Sequence, residues 1–127
     1  MRKKKKQETV NAINPPIIEG SSPENDLRKK LETLKNHNGL LGYIMRNSAF
    51  ASMDLNDPTR IMDYALLSSS IVDASEEISQ ICDLGNVKSI LVEGKDVKTL
   101  ILTTGKYTIS VFMEKNVDSK LVRKILS

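Results

Sequence analysis

Aromatic side chains make up only 4% of the 127 residues, and tryptophan is missing altogether. Surfaces that grip single-stranded nucleic acid stack bases on aromatic rings, so little in this chain serves that purpose. There is one cysteine, Cys82, and one histidine, His37. The first excludes an internal disulfide, and the two together, 45 positions apart, provide no metal-ligand spacing. No stretch joins a charged start to an apolar core and a small-residue cleavage site, which predicts a reducing, cytoplasmic setting. No apolar run approaches the roughly 18 residues that span a bilayer, so a soluble chain is expected.

Catalytic constellations are equally scarce. His37 stands between Asn36 and Asn38 at a predicted helix end, with no nucleophile, orienting group or oxyanion donors marked out around it. Gly94-Lys95 and Gly105-Lys106 lack both the preceding glycine of a phosphate-binding loop and a following Ser or Thr, and they read as turns between strands. Glu76 and Glu77 are adjacent and diverge around a helix, so they form no acid/base pair. A non-enzymatic protein without cofactor or metal is expected.

The formal charge is +3, but Arg2, Lys3, Lys4, Lys5 and Lys6 supply five positive charges at the start. Residues 7–127 hold 14 Lys and Arg against 16 Asp and Glu, so the basic character belongs to the opening segment alone. Residues 1–22, with Pro15, Pro16 and Gly20, show no sustained periodicity and are expected to be a disordered basic arm. The arm offers a second reading of function: an adaptor docked on an anionic membrane or nucleic acid.

Residues 23–127 are expected to form one domain. A first helix is predicted from Pro23 to Asn36, with Leu27, Leu31 and Leu34 on one stripe. Gly39 to Arg46 is apolar on both alternating sets and predicts a strand covered on both faces, hairpinned to AFASMDL (Ala49 to Leu55). Asp57 then caps a helix of about 25 residues that runs to Cys82 and stops at Gly85. VKSILVE, VKTLILTT and YTISVFM, joined by two short turns, predict a three-stranded meander. Asp118 opens a last short helix. The order is αββαβββα, an α/β chain of the α+β kind.

The long helix holds the most pointed question, three consecutive serines at Ser68, Ser69 and Ser70. At about 100° per residue, Ile61, Ala65, Ser68, Val72, Ser75 and Ser79 share one side. Tyr64, Ile71, Ile78 and Cys82 lie beside them, and Leu67, Ala74 and Ile81 widen the arc to about 200°, more than one packing surface requires. The surplus predicts a second partner for the helix, Ser68 a close-packing role, and Cys82 a small core residue. Ser69, Ser70, Asp73, Glu76, Glu77 and Gln80 face water, joined by Met62 and Leu66.

LETLKNHNGLLGYIM, the join LGNVKSILVEG and KTLILTTGKYTISVFM together resemble the roadblock/dynein light-chain family over residues 24–127. The resemblance implies a five-stranded antiparallel sheet with the long helix on one face and the terminal helices on the other. It also implies dimers, with the same chain or a paralogue, that pair the long helix and the following strand. Implied functions are scaffolding and regulation of a Ras-like small GTPase or a larger assembly, or a dynein-type cargo adaptor light chain. On this basis Tyr64, Ala65, Ser68, Ile71, Val72, Ser75, Ile90 and Val92 are expected at the dimer interface, and Met62, Leu66, Ser69 and Asp73 at the GTPase-facing surface. Many members place Asp-Gly after the first strand, where this chain has Asn47-Ser48.

Overall fold

The computed structural model describes residues 23–127. The expected basic arm, with Arg2, Lys3, Lys4, Lys5 and Lys6, lies outside the described residues, and so does the membrane or nucleic-acid docking assigned to it.

The first helix, α1 (Pro23–Lys35), carries Glu24 and Asp26 in its first turn, where carboxylates meet the positive end of the helix, and Lys35 in its last. Glu24 pairs with Arg28 one turn on at 3.1 Å. Its Leu27, Leu31 and Leu34 are buried, as their spacing predicts.

Two strands follow, β1 (Leu40–Arg46) and β2 (Ala51–Leu55), then a single 3-10 turn (Pro58–Arg60) that leads into the long helix α2 (Ile61–Cys82). The meander β3 (Ser89–Glu93), β4 (Val97–Thr104) and β5 (Tyr107–Glu114) precedes α3 (Ser119–Leu126). All five strands form one antiparallel sheet in the order β2-β1-β5-β4-β3. The last strand in sequence therefore sits at the centre, and β2 and β3 are the edges.

Central position explains composition. In β5 every residue from Ile109 to Met113 is buried, so both faces of the strand are covered. Alternation divides them: Ser110 and Phe112 turn toward α2, while Ile109, Val111 and Met113 line the other face. Under α2 the core cluster is Ile44, Leu55, Tyr64 and Phe112, with Ala65 and Val97 packed against it. The rings of Tyr64 and Phe112 meet at 4.5 Å between centroids.

Two strand starts, and the residue that ends the long helix, differ from the sequence-based expectation for local reasons. The second strand starts at Ala51 because the Asn47 side-chain oxygen accepts from the backbone N–H groups of Ala49 and Phe50, at 2.8 and 2.9 Å. Asn47 thereby closes the hairpin without the glycine that many roadblock sequences place there. The third strand begins at Ser89, although the Lys88 carbonyl still accepts from Thr103 N–H at 3.0 Å. The long helix ends where predicted, but the left-handed residue that ends it is Asp83, with φ 54°, before Gly85 is reached. The N–H groups of Asp83 and Leu84 both turn back to the Ser79 carbonyl.

Candidate self-association and partner surface

Although α2 is 22 residues long, only Tyr64 and Ser68 on it are buried. Both lie along the line that rests on β5. The Ser68 and Ser110 hydroxyls are 2.6 Å apart, one hydrogen bond inside the chain's own core. Ser68 has no base beside it, and small side chains at 68 and 110 let helix and strand approach closely. Tyr64 and Ser68, expected at the dimer interface, therefore face inward within the subunit. Cys82, expected in the core, is exposed on the last turn, because α2 buries nothing beyond Ser68.

The remaining expected interface residues are half-buried or exposed. Val72 and Ser75 come together with Ile90 along a cleft of ≈ 780 Å³ between the C-terminal half of α2 and strands β3 and β4. Ile101 and Thr103 lie on its β4 side. Ser75 donates back to the Val72 carbonyl at 2.8 Å, so its hydroxyl is satisfied without a ligand. Ala65 lies on the same flank nearer the start of the helix, against the core cluster, whereas Ile71 points to the opposite flank.

The cleft opens beside β3, whose one described partner strand is β4. Leu91 and Val92 are exposed on opposite faces of this strand. An edge strand leaves a row of backbone donors and acceptors unpaired, and chains usually blunt such edges with Lys, Pro or bulges. SILVE contains none of these; its single charge, Glu93, is at the end. Alternation assigns Leu91 to the face away from α2, and only the strand order reveals that it lies on an edge.

Met62 is 71% and Leu66 63% exposed, Asp73 is exposed, and Ser69 is half-buried. At the helix start the Arg60 guanidinium is bonded to Asp63 at 2.8 Å, which raises its already high pKa, and it lies 5.4 Å over the Tyr64 ring. Among the described residues no group of three or more His, Cys, Asp or Glu is placed to hold a metal ion, and no helix is long and apolar enough to cross a membrane.

The architecture, not the sequence, decides what the chain is similar to. No family model and no curated protein sequence matches it. Among solved structures, the gliding protein MglB from Thermus thermophilus superposes with a TM-score of 0.65 at 11% identity, over 88% of each chain. A Roadblock/LC7 domain from Streptomyces avermitilis gives 0.61 at 12% identity, covering 80% of this chain and 85% of that one. The chain has the roadblock fold. MglC of Myxococcus xanthus shares the arrangement at 19% identity and a TM-score of 0.52, over 80% of this chain and 90% of its own. At these identities the likeness is one of fold. It agrees with the family that the sequence resembles and with three helices accompanying a five-stranded antiparallel sheet. Within the roadblock fold, α2 and β3 border the cleft described above.

Proposed function

We propose that this protein is a non-enzymatic scaffold that dimerises through α2 and β3 and presents a surface to a Ras-like small GTPase or a larger assembly. The observation that carries the reading is the unblunted apolar edge of β3 beside an open cleft. Antiparallel pairing of β3 with the same strand of a second copy or a paralogue satisfies the free backbone groups and joins two sheets into one. The partner's α2 then covers the cleft, against Ala65, Val72 and Ser75 on this helix and Ile90 on the sheet. Ser75 and Ser79 leave room for that approach.

The roadblock fold and the sequence resemblance support the GTPase as partner, because scaffolding of Ras-like GTPases is what the resemblance implies. Met62 and Leu66, with Ser69 and Asp73 beside them, give α2 an outward apolar patch suited to a protein surface. Ser68 spends its hydroxyl on Ser110, which supports a role in packing.

The test combines mass and capture. Light scattering is expected to give twice the 14.2 kDa chain mass, and beads carrying the protein are expected to retain a small GTPase from native lysate in a manner that depends on whether a GTP analogue or GDP is present. A monomer at high concentration overturns the dimer, and retention indifferent to nucleotide overturns the GTPase reading.

A further inference from the structure

On either side of the line Tyr64–Ser68, α2 presents two different flanks. Val72, Glu76 and Gln80 line the cleft over β3 and β4. On the opposite flank, about 180° around the helix, stand Leu67, Ile71, Ala74, Ile78 and Ile81. Their separations of four, three, four and three residues are those of a coiled-coil seam, with β-branched isoleucine at successive a positions. Ile78 is 54% and Ile81 78% exposed, so nothing among the described residues covers the C-terminal part of this seam. Met53 of β2 turns toward the same sheet face as Ile44 and Leu55 and is itself exposed. The seam faces away from the β3 edge, so a dimer built through β3 leaves it bare.

The charge on this helix has one sign. Asp63, Asp73, Glu76 and Glu77 lie on α2, and it contains no Lys or Arg. Arg60 engages Asp63. Among the described residues no ion pair reaches Asp73, Glu76 or Glu77. Glu77 borders the seam on its solvent side, about 40° from Ile81, with Asp73 beyond it. Arg46 of β1 is half-buried between Ala51 and Thr108 in the strand register, on the same sheet face as Ile44. A second copy of α2 in the seam would set Glu77, at the g position beside it, against a carboxylate of its own kind.

We propose that this flank is a docking site for a basic amphipathic helix of a partner protein. The seam spacing selects a helix, which inserts its own a and d side chains between Leu67, Ile71, Ile78 and Ile81 at the shallow crossing angle of coiled coils. The acidic border selects Lys and Arg along the edge of that helix. The site is separate from the self-association surface and does not depend on a GTPase.

A synthetic helix of about three heptads, with Ile at a, Leu at d and Lys at e and g, carrying a fluorophore, is the probe. Titrated with the full chain, it is expected to bind, to weaken at least about tenfold as salt screens the charges, and to slow alkylation of Cys82, one turn beyond Ile78, several-fold. Ile78→Asp and Glu77→Lys, both at exposed positions, are each expected to weaken the probe about tenfold or more while far-UV circular dichroism and oligomeric mass stay unchanged. The proposal is overturned if the probe does not bind or if a peptide with Glu in place of Lys binds as well. It fails also if Ile78→Asp leaves affinity unchanged, if Cys82 reacts at the same rate with probe present, or if Ile78→Asp lowers the oligomeric mass. That last result assigns the flank to a second copy.

Discussion

At the scale of single residues, the pair Ser68 and Ser110 shows how a small polar contact becomes consequential when it is buried. Each residue is within 3% of complete burial and each hydroxyl is the other's partner. Ser68→Ala leaves the Ser110 hydroxyl without a partner in the core, which costs about 1–3 kcal/mol; Ser110→Ala does the same to Ser68. The double alanine variant removes both groups, so its loss of stability, measured by urea unfolding, is expected to fall well short of the sum of the two singles. Strict additivity would mean that the two hydroxyls do not depend on each other. The same scale accounts for Gly42, which has φ 147° at the irregularity between β1 and β5. A Cβ there would come within 2.5 Å of the Asp54 carbonyl oxygen, so the close pairing of β1 with β2 requires glycine. The glycine is visible in the sequence, but the carbonyl it accommodates comes from another strand.

Among the elements, the start of the long helix is the most legible. Asp57 followed by Pro58 predicts a helix opening, and the Asp57 carboxylate accepts from the Thr59 hydroxyl at 2.6 Å and from its backbone N–H at 3.1 Å. These two bonds, in that order, hold the Asp57 carboxyl below the usual carboxylate range. The folded-state value lies under the unfolded one, so the cap contributes fully above about pH 4 and is lost as pH falls through the folded value. Asp57→Ala is therefore expected to lower the melting temperature at neutral pH, with the difference from the wild type shrinking below about pH 4. A difference that stays constant far into acid would show that the carboxylate charge contributes nothing. The detail that sequence patterning misses is the first turn, which is a 3-10 turn before α2 proper begins at Ile61. Cap chemistry is local and readable, whereas the pitch of one turn depends on how β2 delivers the chain to it.

For the whole molecule, the deciding feature is the strand order, since it makes β3 an edge and opens the cleft beside it. A lysine at Val92, exposed on the α2 side of that edge, adds a charge to each half of a two-fold interface. Val92→Lys is expected to weaken self-association by about 3 kcal/mol or more, roughly a hundredfold or greater in dissociation constant, with little change in the fold. Sedimentation at several concentrations measures it, and an unchanged distribution would remove β3 from the interface. Much of this molecule was determined by sequence alone: the run of elements, the buried leucines of α1, the two-face burial of β1, the caps at Asp57 and Asp118, and the excess of apolar surface on α2. Those features rest on periodicity and on bonds within a few residues, which a linear reading contains. Only the tertiary structure decided where that excess goes. It turned Tyr64 and Ser68 inward onto Phe112 and Ser110, left Cys82 in solvent, and separated the flank over β3 from the seam of Leu67, Ile78 and Ile81. The helix is apolar around more than half its circumference, so its own pattern does not distinguish one flank from the other. The sheet does, because Ser110 and Phe112 on the central strand accept one line of the helix and leave the two sides free.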